Sequence, residues 1–411
     1  MLKSAIIGTG VTGASCVRHL RGRDALTVID TRAAPPGAAD IDASVEVHLG
    51  VEQFDFTGYD RVIVSPGVPL DSCLVRAAAT AGCRIESDID LFFEAASAPV
   101  YAVTGTNGKS TVTSMAAALL NAHGVNTAAG GNLGEAALDI LTAEREAYVL
   151  ELSSFQLERM AAHGKAGAVL LNVSDDHLDR HGDVASYAAA KRRIFENCAH
   201  RVSHRGESLT LPDDGRAHAT FGLDAGASVS DWGIVEEGGE RYFARGAERL
   251  VKTSALALDG LHNQANFLAA CALLHHHDMS AEVLDDVARH FEGLPHRCQT
   301  VATVDGVRFV DDSKATNVGA TVAAVQGLSG RLANDARIVL IAGGEGKGAD
   351  FSPLSALVPM LRALVLIGRD AEMIGEVLPD TEQVHVTDMA EAVQQAAALS
   401  RSGDVILLSP A

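Results

Sequence analysis

The clearest chemistry in this chain of 411 residues lies in Pro99-Val-Tyr-Ala-Val-Thr-Gly-Thr-Asn-Gly-Lys109-Ser110-Thr111. The apolar stretch reads as a short strand, and a long helical pattern opens at Lys109. Between them the backbone N–H groups of Gly105, Thr106, Asn107 and Gly108 can face a single anion. The helix turns the positive end of its dipole to the same spot, and Lys109 adds a full charge. Ser110 or Thr111 offers a hydroxyl to Mg2+. Together these groups read as a nucleotide phosphate cradle in a variant form. Val103 stands where the common loop has its first glycine, and the turn is compressed to Gly105-Thr-Asn-Gly108-Lys109.

Other strand ends are also loaded with polar groups. Ala5-Ile-Ile-Gly8-Thr-Gly10-Val-Thr-Gly13 runs into a helix and then a strand at 26–30. Gly8, Gly10 and Gly13 fit a dinucleotide fingerprint, and Asp30 sits where a ribose-binding acid is expected. Arg32 beside that acid suits a uridine, phosphate or sugar oxygen equally well, so the nucleotide is open from these residues. The strand at 146–152 carries Glu151 toward its carboxyl end, the edge where open parallel sheets collect ligands such as Mg2+. A strand at 168–174 leads into Asp175-Asp176-His177-Leu-Asp179-Arg180-His181. Its His-x3-His spacing could set two ligands on one helix, but no Glu follows the first His, which argues against a zinc hydrolase. Taken alone, Lys191-Arg-Arg-Ile-Phe-Glu196 reads as the basic exposed face of a helix. Further on, strands at 307–310 and 336–342 end in Asp311-Asp312-Ser313-Lys314-Ala-Thr316-Asn317 and in Gly343-Gly-Glu-Gly-Lys347, both placed for ligand binding.

The elements that position these groups alternate strand and helix, which points to parallel α/β sheets. Three units are expected: a Rossmann-like α/β domain at 1–92, a central P-loop-type ATP-binding α/β domain at 93–294, and a C-terminal Rossmann-like α/β domain at 295–411. The polar, Gly-rich stretch at 201–249 interrupts the rhythm, with a hairpin turn expected at Glu237-Gly-Gly-Glu240. A helical signal returns at 263–276, and His275-His276-His277 at its end reads as a C-terminal cap region rather than a metal site. A content of 47% hydrophobic residues fills several cores. The formal charge of −20 argues against nucleic acid or anionic membrane as partner, since both require a basic stripe. Six scattered cysteines suggest reduced core thiols, with neither a disulfide framework nor a zinc site. With no charged leader and no run of about 18 apolar residues, the cytoplasm is the expected compartment.

These motifs resemble the Mur ligases of peptidoglycan synthesis, colinearly over almost the whole chain. Thr104-Gly-Thr-Asn-Gly-Lys-Ser-Thr111 resembles the family ATP loop. Glu151-Leu-Ser-Ser-Phe-Gln-Leu157, Asn172-Val-Ser-Asp-Asp-His177 and Gly293-Leu-Pro-His-Arg297 resemble its other signatures. Asp312-Ser-Lys-Ala-Thr-Asn317 and Gly343-Gly-Glu-Gly-Lys-Gly-Ala-Asp-Phe351 favour the branch that adds D-glutamate. The resemblance implies an ATP-dependent amide ligase acting on UDP-N-acetylmuramoyl-L-alanine and D-glutamate through an acyl phosphate, with two Mg2+ ions, as a monomer. It implies uridine and diphosphate contacts from Val11, Thr12, Asp30, Thr31, Arg32 and Gly67, and a muramoyl contact from Asn132. Ser110 and Glu151 would hold one Mg2+, and His177 with a CO2-derived carbamate on Lys191 the other, which places Lys191 in the interior. Lys109, His177 and Lys191 are then the catalytic set. Gly105 to Thr111, Asn266, Arg297 and Asp312 surround the nucleotide, and Lys314, Thr316 and Lys347 receive the D-glutamate carboxylates. The third domain is expected to swing onto the second.

The chain ends at Leu407-Leu408-Ser409-Pro410-Ala411, where the resemblance leads one to expect a Cys-Ala-Ser turn and a terminal helix. The expected consequence is an acceptor site weakened relative to the precursor and ATP sites. Alternatives from other classes are an NAD-dependent oxidoreductase, which leaves the phosphate loop without a task, and a noncatalytic nucleotide-binding regulator. A ligase adding L-glutamate or another amino acid is the nearest competitor.

Overall fold

The computed structural model describes residues 1–333, 335–346 and 349–411. Three α/β sheets follow one another along the chain. The first contains β1 (Lys3–Ile7), β2 (Ala25–Asp30), β3 (Glu46–Leu49), β4 (Arg61–Val64) and β5 (Arg84–Glu86), all parallel in the order β3-β2-β1-β4-β5. Its central strands are continuous apolar runs because helices cover both faces. Helix Val11–Leu20 packs hard onto the end of β1, and a Cβ on Gly13 would lie 1.9 Å from the Gly8 carbonyl oxygen. That approach is the reason for a third glycine in the motif, whereas a Cβ on Gly10 would meet nothing within 4 Å.

The middle sheet has β6 (Val100–Thr104), β7 (Thr127–Gly131), β8 (Ala147–Glu151), β9 (Lys165–Leu170), β10 (Cys198–His204), β11 (Ala219–Phe221), β12 (Trp232–Glu237), β13 (Glu240–Arg245) and β14 (Glu248–Lys252). Its order is β14-β13-β12-β11-β10-β9-β6-β8-β7. Helices Lys109–Ala122 and Leu261–Leu273 cover one face, with Val112, Met115, Leu119, Phe267 and Leu268 in a common core. The hairpin forms where expected: Glu237 pairs with Glu240 across Gly238-Gly239, whose φ values of 61° and 80° match the twist of the strands. Two readings need correction. The strand expected at 168–174 leaves the sheet after Leu170, because Asn172 turns aside to brace the phosphate loop. The polar stretch after 201 is not a mere interruption; it supplies β11 to β14.

The third sheet comprises β15 (Gln299–Val304), β16 (Val307–Asp311), β17 (Ile338–Gly343), β18 (Leu361–Ile367), β19 (Glu382–Val386) and β20 (Val405–Leu408), ordered β15-β16-β20-β17-β18-β19. Only β15, the edge strand, runs antiparallel to its neighbour. The α/β class with three units therefore holds. The first two sheets share one apolar core, in which Ile6 and Val17 join Leu150 and Leu170. Arg159 adds a polar bolt: its guanidinium donates to the carbonyls of Ser65 (2.9 Å), Pro66 (2.9 Å) and Val68 (3.0 Å).

Cys16, Cys83, Cys198 and Cys271 are buried, but Cys73 is exposed and Cys298 half-buried, so two of the six are not core thiols. Among the described residues no helix is long and apolar enough to cross a membrane.

Candidate active site

The phosphate loop connects β6 to helix Lys109–Ala122 at the carboxyl edge of the middle sheet. Gly108 caps the helix with φ at 81°, and a Cβ there would lie 2.5 Å from Asn266 Oδ1, so both backbone and space call for glycine. Asn172 holds the loop open from below, accepting from the Asn107 N–H at 2.7 Å and donating to the Asn107 carbonyl at 3.0 Å. Lys109 folds back to donate to the Thr106 carbonyl at 2.8 Å; burial lowers its pKa and Glu151 opposes the shift.

Ser110 is the point where the site's elements meet. Its hydroxyl donates to Glu151 Oε2 at 2.6 Å and accepts from Arg297 Nη2 at 2.8 Å. Asn132 donates to the other Glu151 oxygen at 2.8 Å. Glu151 is 2% exposed, yet both its oxygens accept from neutral groups. A buried carboxylate bonded only by neutral donors, with a hydroxyl beside it, is a hard-oxygen pair suited to a small divalent cation.

Lys191, far along the chain, comes to the underside of the same loop and is 1% exposed. Its Nζ donates to the Gly105 carbonyl at 2.8 Å and lies 4.4 Å from the centre of the Tyr187 ring. Burial, reinforced by Lys109, pulls its pKa well below the ordinary lysine value. Arg192 and Arg193 are only half-buried, paired with Asp213 and Glu196, so the basic-face reading fails for Lys191. His177 packs edge-on against Phe155 at 5.0 Å, with its backbone in the left-handed region at φ 54°. The two-ligand helix suggested by His-x3-His does not form. His177 caps helix Leu178–His181, while His181 stacks on Phe155 and bonds Ser154 at 3.0 Å. Among the described residues no group of three or more His, Cys, Asp or Glu is gathered to hold a metal.

A cavity of about 650 Å3 opens between the middle and C-terminal units. Asn107, Gly108 and Thr111 line it from the loop, Asn266 from helix Leu261–Leu273, and Arg297, Asp312 and Lys314 from the C-terminal side. Burial pushes the Asp312 carboxyl up to about 6, against hydrogen bonds from Ser409 and the Cys298 N–H. Arg297 on Ser110 and Asn317 on Asn107 show the third unit already docked on the second, with no swing needed for these contacts. Thr316 is exposed beside Lys314, and Lys347 lies outside the described residues. Sequence reasoning passed over Asn263, His204, Glu207 and Phe221, which also line the cavity. For Asn263 a signal existed: it sits three residues before Asn266 on the same helix face and accepts from its amide at 3.1 Å.

In the first unit, Asp30 is buried at the end of β2. Burial opposes its ionisation, but hydrogen bonds from Arg32 and Thr9 outweigh it and hold the carboxyl far below its usual range. Val11, Thr31, Arg32 and Gly67 are exposed and Thr12 half-buried at this carboxyl edge, outside the 650 Å3 cavity.

Comparison with known proteins agrees with this division. Residues 2–87 match the model "Mur ligase MurD-like, N-terminal domain", residues 103–274 "Mur ligase middle domain", and residues 296–411 "Mur ligase, glutamate ligase domain". The chain is 42% identical to the UDP-N-acetylmuramoylalanine--D-glutamate ligase of Marinobacter nauticus over 420 residues, covering 100% of this chain and 93% of that relative. It is 44% identical to the protein of the same name from Pseudomonas savastanoi pv. phaseolicola, over 99% of this chain and 92% of the relative. The fold matches UDP-N-acetylmuramate-alanine ligase MurC from Thermotoga maritima with a TM-score of 0.66 at 19% identity, covering 100% and 96% of the two chains. It also matches MurF ligase from Thermotoga maritima, solved with ADP, with a TM-score of 0.63 at 17% identity over 96% and 93%. With full-length relatives above 40% identity and a matching model for each unit, the chain belongs to the Mur ligase family.

Proposed function

We propose that this chain is the ATP-dependent ligase that joins D-glutamate to UDP-N-acetylmuramoyl-L-alanine in peptidoglycan precursor synthesis, releasing ADP and phosphate, as a cytoplasmic monomer. The observation that carries the reading is the meeting at Ser110 of phosphate loop, strand-end carboxylate and an arginine from the C-terminal unit. The names of the full-length relatives support D-glutamate as acceptor.

A carboxylate is a poor acyl donor because oxide does not leave. The precursor's alanyl carboxylate therefore attacks the γ-phosphorus of ATP and ADP departs. The D-glutamate amine then attacks the acyl phosphate carbon, phosphate leaves, and the amine gives up a proton. Two anions must approach in the first step, and at about 4 Å screened like charges repel by roughly 1–4 kcal/mol. Lys109 and the loop N–H groups offset that repulsion at the phosphates. Ser110 with Glu151, and His177 with Lys191, are the groups that would hold Mg2+, whose charge stabilises the transferring phosphoryl oxygens. Lys191 suits its part because carbamate formation needs a neutral amine, and burial favours that form. Asn266, Arg297 and Asp312 would bind the ADP moiety, and Asn132 the muramoyl group. Val11, Thr12, Asp30, Thr31, Arg32 and Gly67 would take uridine and diphosphate, and Lys314, Thr316 and Lys347 the acceptor carboxylates.

Phosphate release with ATP, Mg2+ and UDP-N-acetylmuramoyl-L-alanine tests the reading, with D- and L-glutamate supplied separately. Stoichiometric amide with D-glutamate alone is expected. Amide with L-glutamate alone moves the acceptor, and nucleotide binding without either product leaves a regulator.

A further inference from the structure

The C-terminal unit touches the middle unit at both ends of helix Val318–Ser329. Just past its carboxyl end Arg331 pairs with Asp259. Nearby, a Cβ on Gly260 would lie 3.1 Å from the Gly327 Cα, so the backbones are in close approach. At the helix N-cap Asn317 meets Asn107 of the phosphate loop in a reciprocal amide pair. Asn317 Nδ2 donates to Asn107 Oδ1 at 2.9 Å, and Asn107 Nδ2 donates to Asn317 Oδ1 at 3.2 Å. The same Asn317 oxygen accepts from the Ala320 N–H at 3.0 Å, so capping and docking share one atom. The partner is no looser, since the Asn107 main chain is clamped on both sides by Asn172.

Immediately before Asn317 lies the turn that carries Lys314 and Thr316. It is braced internally: Ala315 N–H donates to the Asp312 carbonyl at 2.9 Å and Thr316 N–H to the Lys314 carbonyl at 3.1 Å. The Asp312 side chain is held in turn by Ser409 (3.0 Å) and by the Cys298 N–H (3.1 Å). A turn so bonded moves as one piece, and its register against the phosphates is set where it is pinned.

We propose that Asn317 is a positioning residue, which holds the acceptor turn in register with the phosphate loop so that the amine, not water, reaches the activated carboxylate. The inference rests on the ligase reading above. Asn317 acts through the turn and the loop and touches neither reactant. When the register slips, water attacks the acyl phosphate instead; the carboxylate is regenerated, and phosphate and a proton are released without an amide.

Asn317→Asp is the discriminating variant. Aspartate caps helices as well as asparagine does, but it has no amide hydrogen to give Asn107 Oδ1, and two acceptor oxygens then face each other. The expected result is a D-glutamate KM raised about tenfold, as for the loss of one or two neutral hydrogen bonds. Melting temperature stays at the wild-type value, and phosphate released per amide formed rises above the wild-type ratio. Asn317→Ala, which also loses the cap, shows the same uncoupling with a lowered melting temperature. The double variant N107A/N317D raises the acceptor KM no further than the larger single change, because both remove one pair. Wild-type KM and wild-type coupling in N317D overturn the proposal, as do additive effects in the double variant. Absence of amide from the wild-type protein overturns the ligase reading itself, and this inference with it.

Discussion

Replacing Arg159 by methionine removes the polar bolt between the first and second units while keeping the bulk of the aliphatic stem. Arg159 ends helix Ser154–Arg159 and gives Nε to the Phe155 carbonyl at 2.8 Å, with its remaining nitrogens on the 65–68 turn. Burial lowers its pKa to about 10, with Glu158 opposing, so it stays charged at neutral pH. Hydrogen bonds from a charged donor contribute about 1.5–3 kcal/mol each. The three shortest of those that cross between units would sum to about 5–9 kcal/mol if nothing replaced them. Gly67 is exposed and Pro66 and Val68 are half-exposed, so water takes over much of that role. Relief of the buried guanidinium offsets more, leaving a net loss of about 2–3 kcal/mol. Expressed fully in the precursor site, that is roughly 30- to 150-fold in affinity. The measurement is precursor KM beside nucleotide affinity: the first rises by about one to two decades and the second holds. Arg159→Lys recovers little, because an ammonium cannot span carbonyls fanned out for a planar fork. A methionine variant with unchanged precursor KM and unchanged hydrogen exchange at residues 65–68 would refute the reasoning.

Gly13→Ala drives a Cβ into the rigid Gly8 backbone and destabilises the first unit by about 3 kcal/mol, while Gly10→Ala stays within about 0.5 kcal/mol; urea unfolding of both compares them. His200 is 8% exposed and burial lowers its pKa from 6.5, with His275 and His276 adding to the shift. The folded state thus keeps it neutral where the unfolded chain binds a proton, so stability present above pH 6.5 is lost as pH falls toward the folded value. The urea midpoint is therefore lower at about pH 5.5 than at about pH 7.5, and His200→Gln flattens that slope. Lys191→Gln leaves nucleotide binding intact but lowers turnover by about two orders of magnitude. With 13C-bicarbonate the wild-type protein gives a carbamate resonance that the variant lacks, and its absence from the wild type would remove the modified lysine.

Features that depend on near neighbours were legible before any coordinates. The phosphate loop, the first-unit glycines and the Gly238-Gly239 hairpin each follow from residues a few positions apart, whose backbone preferences act locally. Strands such as Thr127–Gly131 and Ala219–Phe221 were not legible. Thr127–Gly131 is mostly alanine and glycine and Ala219–Phe221 is only three residues long, so neither carries a strand pattern of its own, and they become strands by pairing with β8 and β10. Lys191 illustrates the same limit at a side chain. Taken alone its segment looks basic and solvated, and only the family resemblance pointed it inward; one helix face does turn it to the interior, while Arg192 and Arg193 stay half-buried.

By itself, the sequence determined that three α/β units are present, that one carries a Gly-rich loop between a strand and a long helix, and that the motifs are those of a Mur ligase. Tertiary structure alone decided that Lys191 Nζ settles on the Gly105 carbonyl, that Glu151 accepts from both Ser110 and Asn132, and that Asn317 pairs with Asn107. The physical reason is that desolvation and cross-unit hydrogen bonds join groups far apart in the chain, and neither exists until the sheets have packed.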